Sequence, residues 1–212
     1  MQSAAVIERR AGRPTTEETE RLNEEILQAA FKVFVREGFG GASIEQIAQE
    51  SRTTRRTVLN RFRDKESLFI AVMDMGVWRF QKRSTPPESV LGARPIETLR
   101  EWCRLMLENV VLPDQIEFYR LALAHISRFP EITAIALRWN DGLLADLEAL
   151  VRRAQQSGVF QERDPAALAT GMIGVFISNA VNRAALGDPQ FQDPIRRKQY
   201  FDTMWKLVQE AS

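Results

Sequence analysis

Along this chain apolar residues return every three or four positions, and nowhere do they alternate with the period of two that a half-buried strand requires. The pattern predicts helices throughout, and its punctuation marks their ends. Thr15 or Thr16, followed by Glu17 and Glu18, opens a first helix with Leu22, Ile26, Ala30, Val33 and Phe34 on its inner stripe; Gly38, free to take a positive φ, ends it. Ser43 caps a short second helix with Ile44, Ile47 and Ala48 inward. Thr53 or Thr54 caps a third that runs to about Arg61, and Asp64 caps a fourth with Leu68, Phe69, Val72, Gly76 and Phe80 on one face. Ser84-Thr85-Pro86-Pro87 breaks the periodicity as a loop. Longer helices follow: Pro95 to about Val111, Pro113-Asp114 to a point before Phe129-Pro130, and from there to about Gln156, ended by Gly158. Asp164-Pro165 starts another that stops at Gly187, and Asp193-Pro194 starts the last. The expected fold class is all-α, with about nine helices, the short ones first and the longer ones after.

Composition narrows this picture. At 212 residues and 44% hydrophobic, the chain has enough apolar material for one large domain, or a small one joined to a bigger one. A single cysteine, Cys103, excludes an internal disulfide and suits a reducing compartment. The opening MQSAAVIERRAGRP has no apolar core of signal-peptide length, so a cytoplasmic location is expected. The longest apolar run, Ala166 to Val181, is short for a membrane span and is interrupted by Thr170, Ser178 and Asn179; it reads as a buried helix, and no membrane partner is expected.

Net charge is only +1, but its distribution is uneven. Arg52, Arg55, Arg56, Arg61, Arg63 and Lys65 stand against one acid, Asp64, over fourteen residues. A local basic cluster on a nearly neutral chain is a focused electrostatic site. It falls on the third helix, which Glu50-Ser51-Arg52-Thr53 joins to the second in a helix-turn-helix layout. Val58 and Phe62, four apart, hold this helix on its scaffold and leave Arg55, Arg56, Thr57, Asn60 and Arg61 to face outward. Arg grips guanine O6 and N7 in a bidentate fork, and Asn does the same to adenine N6 and N7. Lys65, in the first turn of the next helix, is placed to hold a phosphate together with free backbone N–H groups. Ser43, Arg52 and Thr54, at the two helix starts and the turn between them, complete the candidate DNA contacts. Arg10 and Arg13, in the arm Glu8 to Pro14, are further candidates for an adjacent minor groove.

The stretch ILQAAFKVFVREGFGGASIEQIAQESRTTRRTVLNRFRDKESLFIAV, Ile26 to Val72, resembles the DNA-binding domain of the TetR family of bacterial transcriptional regulators. Ala29-Ala30, Phe34 and Gly38-Phe39 match the start of the family pattern, Ser43-Ile44 and Ile47-Ala48 its middle, and Thr57-Val58, Phe62 and Lys65-Glu66-Ser67-Leu68 its end. Two positions depart from it. Arg52 stands where a Gly is usual, and Leu59 where a Tyr often touches phosphate; Arg52 or Arg61 is then the substitute phosphate contact. Phe118 to Ile132 and the helix after it look like the C-terminal domain of an AefR-like branch.

The resemblance implies a homodimer that binds a double-stranded, palindromic DNA operator, and a larger C-terminal domain that takes a small-molecule effector. The expected organisation is a basic arm over 1–15, a helix-turn-helix domain over 16–64, and a helical regulatory and dimerisation domain over 65–212. Trp102, Met106, Phe118, Leu121, His125, Trp139, Met172 and Phe176 are pocket candidates, since aromatic and Met side chains suit a mostly apolar pocket. Gly174, Ile177, Val181, Phe201, Trp205 and Val208 are candidates for a dimer interface with twofold symmetry, or for closing the chain's own core.

Enzyme readings fail on inventory. One His and one Cys cannot build a zinc site of the usual kind. Gly38-Phe39-Gly40-Gly41 lacks the dinucleotide-binding spacing and follows a helix; no P-loop and no Ser-centred elbow is present, and no cofactor is expected. The expected function is a regulator, most simply a repressor released by a small, largely apolar ligand. The alternatives are an activator, a regulator that answers to a protein, and a helical interaction protein that has lost DNA affinity.

Overall fold

The structure is a computed structural model; it describes residues 16–85, 94–158 and 163–211. These residues form ten helices and no strand. They are α1 (Thr16–Gly41), α2 (Ile44–Glu50), α3 (Arg55–Phe62), α4 (Lys65–Ser84), α5 (Pro95–Val110), α6 (Pro113–His125), α7 (Pro130–Gln156), α8 (Pro165–Ala185), α9 (Pro189–Gln192) and α10 (Pro194–Ala211). The arm with Arg10 and Arg13, together with Pro86 and Pro87, lies outside the described residues.

Most helix ends fall where side-chain chemistry predicts. Ser43, Thr54, Asp64 and Asp164 each accept a hydrogen bond from a backbone N–H in the first turn, and proline opens α5, α6, α7 and α8. Gly38 (φ 68°, ψ 170°) ends the long regular run of α1 with the positive φ expected of it, and a further turn to Gly41 buries Phe39. α6 stops at His125, ahead of Phe129-Pro130 as expected, and a turn in which His125 O accepts from Arg128 N and Phe129 N leads into α7. Two details differ from the sequence pattern, a π-helical turn within α8 and an extra one-turn helix. The π turn spans Gly174–Ser178. The extra helix, α9, is one turn long and starts at Asp188-Pro189, where the Asp188 carboxylate accepts from Gln190 N at 2.9 Å.

Two hydrophobic cores share α4. The first gathers Ile26, Val33, Phe34, Ile47, Val58, Leu68, Phe69 and Val72 from α1 to α4, and takes in Leu121 of α6 and Ile132 and Ile135 of α7. The second holds Phe80 of α4 with Leu99, Met106, Leu147, Phe176, Phe201 and Trp205 from α5, α7, α8 and α10. The helix-turn-helix is therefore joined to the helical body through α4 and through the α6–α7 corner.

The candidate dimer residues divide. Ile177, Val181, Phe201 and Trp205 are buried in the second core, where Phe201 lies 5.3 Å from Phe176 and stacks on Trp205 at 6.2 Å. They close the chain's own core, because α8 turns its bulkier stripe toward α5 and α10. Gly174 is exposed and Val208 half-buried. The outer face of α8 is made of smaller residues, Ala167, Thr170, Gly171, Gly174 and Ser178, and Leu207 is exposed on α10.

Candidate nucleic-acid interface and effector cavity

α2 is fixed by a reciprocal cap: Ser43 Oγ accepts from Gln46 N at 3.2 Å, and Gln46 Oε1 accepts from Ser43 N at 2.8 Å. The turn that follows is closed by Thr53 N donating to Ala48 O at 2.8 Å, and Arg52 passes through it at φ 54°. Thr54 then caps α3, accepting from Thr57 N at 3.1 Å and sharing a proton with the Thr57 hydroxyl at 2.8 Å. Val58 is buried beneath, and Leu59 and Phe62 pack half-buried against the first core. Leu59 thus serves packing, where the family Tyr would reach for phosphate.

The face left to solvent carries Arg55, Arg56 and Asn60, with Thr57 half-buried beside them. Arg55 Nε lies 2.5 Å from Glu45 Oε1 on α2, with both side chains more than half exposed, so the pair orients Arg55 but adds little stability. Arg56 and Asn60, one helical turn apart, have no protein partner among the described residues.

Two candidates do not face outward. Arg61 turns back, donating from Nη1 to Asn23 Oδ1 at 2.6 Å and to Thr19 O at 3.2 Å, and braces α3 on the start of α1. Lys65 Nζ donates to Phe39 O at 2.8 Å and Ala42 O at 2.9 Å and lies 4.6 Å from the centre of the Phe39 ring. The α4 N-terminus is likewise occupied: Asp64 Oδ1 accepts from Ser67 N at 2.7 Å, a bond that holds the carboxyl below its usual pKa. Lys65 satisfies carbonyls left open at the end of α1, and Arg61 spans to the first turns of the same helix; a helical wheel displays neither. Glu45, the partner of Arg55, and Thr19 and Asn23, the partners of Arg61, carry no motif signal. Arg63, exposed at φ 57° and ψ −54°, sits at the centre of a γ-turn closed by Asp64 N and Phe62 O.

Two cavities flank Trp139 in the body. A groove of about 500 Å³ between α4, α5 and α7 is lined by Phe80, Trp102, Met106, Trp139 and Leu143, with Asp146 and Arg153 among its polar groups. A cavity of about 280 Å³ between α4, α6, α7 and α8 is lined by Phe118, Tyr119, Trp139, Ile177 and Asn182 among others, and by no charged side chain. Trp102, Met106, Phe118 and Trp139 are therefore placed on cavity walls. Met172 and Phe176 are packed in the second core. Leu121 and His125 belong to the joint with the first core, because the C-terminal half of α6 leans on α1 and α4. His125 lies 5.3 Å from the Phe69 ring and 5.9 Å from the Phe39 ring; burial, with the nearby Arg128 charge, lowers its pKa. Among the described residues no three His, Cys, Asp or Glu side chains gather as a metal site needs.

The family model described as bacterial regulatory proteins, tetR family, matches residues 26–72, and that of the AefR-like transcriptional repressor C-terminal domain matches residues 97–204. The transcriptional repressor NicS of Pseudomonas putida is 41% identical over 58 residues, 27% of each chain. The transcriptional regulator RutR of Escherichia coli K12 is 31% identical over 128 residues, 59% of this chain and 55% of RutR. The matched segments thus span about a quarter and about half of these relatives. A crystal structure of a TetR-family regulator from Mesorhizobium loti superposes with a TM-score of 0.79 at 22% identity, covering 93% of this chain and 98% of that one, which shows the shared fold. The chain belongs to the TetR family of bacterial transcriptional regulators, with a C-terminal domain of the AefR-like kind.

Proposed function

We propose that this regulator is a cytoplasmic repressor that binds a palindromic operator as a homodimer and is released by a small, largely apolar molecule. In this reading residues 16–64 form the reading head and residues 65–212 the regulatory and dimerising body, with α4 shared between their cores. One α3 enters each of two successive major grooves. The observation that carries the proposal is the pair Arg56 and Asn60: two base-reading side chain types, one turn apart, unpartnered, on the exposed face of a capped and braced helix. Arg55 joins them when DNA competes it away from Glu45. The small-residue outer face of α8, with Leu207 of α10, supports close approach of a second copy. NicS, a repressor by name, resembles this chain over 58 residues and favours repression over activation.

Release follows from linkage. α4 anchors the head through Leu68, Phe69 and Val72, and its far end supplies Val77 and Phe80 to the 280 Å³ cavity. A ligand that fits one setting of α4 better than another shifts the dimer toward it, and with it the spacing of the two heads.

Selection from random duplex DNA with the purified chain at near-physiological salt tests this reading. The expected product is one enriched inverted repeat, and Arg56→Ala should cost roughly 1–3 kcal/mol on it and relax specificity at one base pair of each half-site. Recovery of no enriched sequence would overturn the proposal in favour of a helical interaction protein.

A further inference from the structure

Trp139 carries a buried polar atom without a partner. Its indole Nε1 is sealed from water and meets no acceptor among the described residues. Buried indole N–H groups are ordinarily hydrogen-bonded, so an orphan asks for an explanation. The ring lies perpendicular to that of Phe80, centroids 5.1 Å apart at 89°, and it is part of the wall of both the groove and the smaller cavity.

Resting on the reading of the 280 Å³ cavity as the effector site, we infer that Trp139 is its specificity-determining donor. The effector it selects is a small, uncharged, mostly apolar molecule with one accessible hydrogen-bond acceptor, such as a carbonyl or ring nitrogen. Three features of the cavity support that class. Its wall has no charged side chain, so an ionised ligand loses its hydration with no opposite charge to replace it. Its volume lies at the small end of small-molecule sites, which favours a compact ligand over a long acyl chain. Its polar groups are limited: the Tyr119 hydroxyl donates to Asn182 Oδ1 at 2.6 Å, Gln115 is half-buried at the start of α6, and Asn140 and Ser178 lie toward the surface. The groove on the other side of Trp139 fits such a ligand less well, because Asp146 and Arg153 line it and its α7 wall of Gly142, Ala145 and Ala149 is exposed.

Because Nε1 is closed off where it stands, meeting the acceptor requires the indole to turn into the cavity. That turn withdraws the ring from Phe80 on α4, the helix that carries the reading head. Recognition and transmission thus use one side chain. The π turn of α8 completes the wall by bringing Ile177 and Ser178 to the cavity opposite α7.

The test uses the full chain, ¹⁵N- and methyl-labelled, whose four tryptophans give four indole N–H signals. Trp139→Phe identifies the one of interest. The probes are acetophenone, isopropylbenzene, which has nearly the same shape without the acceptor, and benzoate, which is charged. Acetophenone and isopropylbenzene should both move the Ile177 and Val181 methyl signals, but only acetophenone should move the Trp139 indole signal. Trp139→Phe should weaken acetophenone relative to isopropylbenzene by roughly 2- to 12-fold, the range of one net hydrogen bond, because both probes lose the same ring contact and only acetophenone loses the donor. Methyl shifts with acetophenone while the Trp139 signal stays in place would overturn the donor inference and leave the cavity reading standing. So would equal weakening of both neutral probes by Trp139→Phe. Benzoate binding as tightly as acetophenone would overturn the uncharged class. No methyl shift with any probe would overturn the cavity reading and the inference with it.

Discussion

Phe118 of α6 fills the space that a side chain at Gly76 of α4 would need. A Cβ at position 76 would lie 2.1 Å from Phe118 Cε2 and 2.4 Å from Cδ2. The absence of a side chain is what lets α6 lie against α4 here, beside the cavity that Phe118 lines. Gly76→Ala gains about 1 kcal/mol in helix propensity but incurs about 1–3 kcal/mol of overpacking unless the ring moves. The expected net effect is a loss of up to about 2 kcal/mol in urea unfolding, with Phe118 displaced into the cavity. In a Phe118→Ala background the same change should be neutral or stabilising by up to about 1 kcal/mol. Equal costs in both backgrounds would show that Phe118 is not the obstacle.

Lys65 and Arg61 separate folding from DNA reading. Lys65→Met leaves Phe39 O and Ala42 O without their ammonium donor, and Arg61→Ala removes the brace to Thr19 and Asn23. Each should destabilise by about 1–3 kcal/mol, lowering Tm by about 2–4 °C per kcal/mol. Operator affinity, measured by fluorescence anisotropy well below the melting range, should change little. A uniform drop across sequences with an unchanged Tm would return both residues to the phosphate-binding face.

Those two residues also mark where the sequence stops being legible. Caps are local chemistry, so Ser43, Thr54 and Asp64 could be read directly, and with them the helix-turn-helix frame. Periodicity assigns a residue to a face, which placed Val58 inward and Arg56 and Asn60 outward. It does not assign the end of a long side chain: Arg61 reaches back to the first turns of α1, and Lys65 to carbonyls that the end of α1 leaves open. Nor does an amphipathic stripe say which core it joins. Phe201 and Trp205 fit a partner's surface as well as their own, and His125 and Leu121 fit a pocket as well as the joint with the head. The crossing of α6 over α1 and α4 decides the last case, and that is a long-range property. The π turn of α8 leaves no trace in a three-and-four spacing. By contrast Asp188-Pro189 repeats the start signal of Asp164-Pro165, and only its one-turn length obscured it.

Arg52 stands in the turn of the helix-turn-helix, where the family pattern has a glycine, and it does so at φ 54°. An L-residue held there carries about 1–2 kcal/mol of steric cost, whereas glycine is unstrained but loses about 0.5–1 kcal/mol more backbone entropy on folding. Arg52→Gly should therefore leave stability unchanged or raise it by up to about 1 kcal/mol. If the exposed guanidinium meets a phosphate, the same variant should bind the operator more weakly, and the slope of log affinity against log salt should fall by about 1. A variant that gains stability and keeps both affinity and slope would show that Arg52 stands clear of the backbone. A variant that loses stability would show that its side chain holds the turn.

His125 gives the joint between head and body a pH dependence of predictable sign. Its imidazole packs against Phe69 and Phe39, and the charges around it are cationic or paired. Arg128 lies 4.8 Å from the centre of the Phe39 ring and pairs with Glu66 at 3.5 Å, and Lys65 covers the same ring. Burial first, and Arg128 second, lower the folded-state pKa below the ordinary value near 6.5. Above that value both folded and unfolded chains hold a neutral imidazole, and the group contributes no pH dependence. As pH falls below it the unfolded chain takes up a proton that the folded chain resists, so stability declines until the folded pKa is passed. The carboxyls whose pKa is also lowered, Asp64, Asp114 and Asp202 among them, act in the same direction but at more acid pH. Urea unfolding midpoints between pH 7.5 and 5.5 should fall for the natural chain and fall less for His125→Gln. Parallel curves would show that protonation of His125 does not strain the joint.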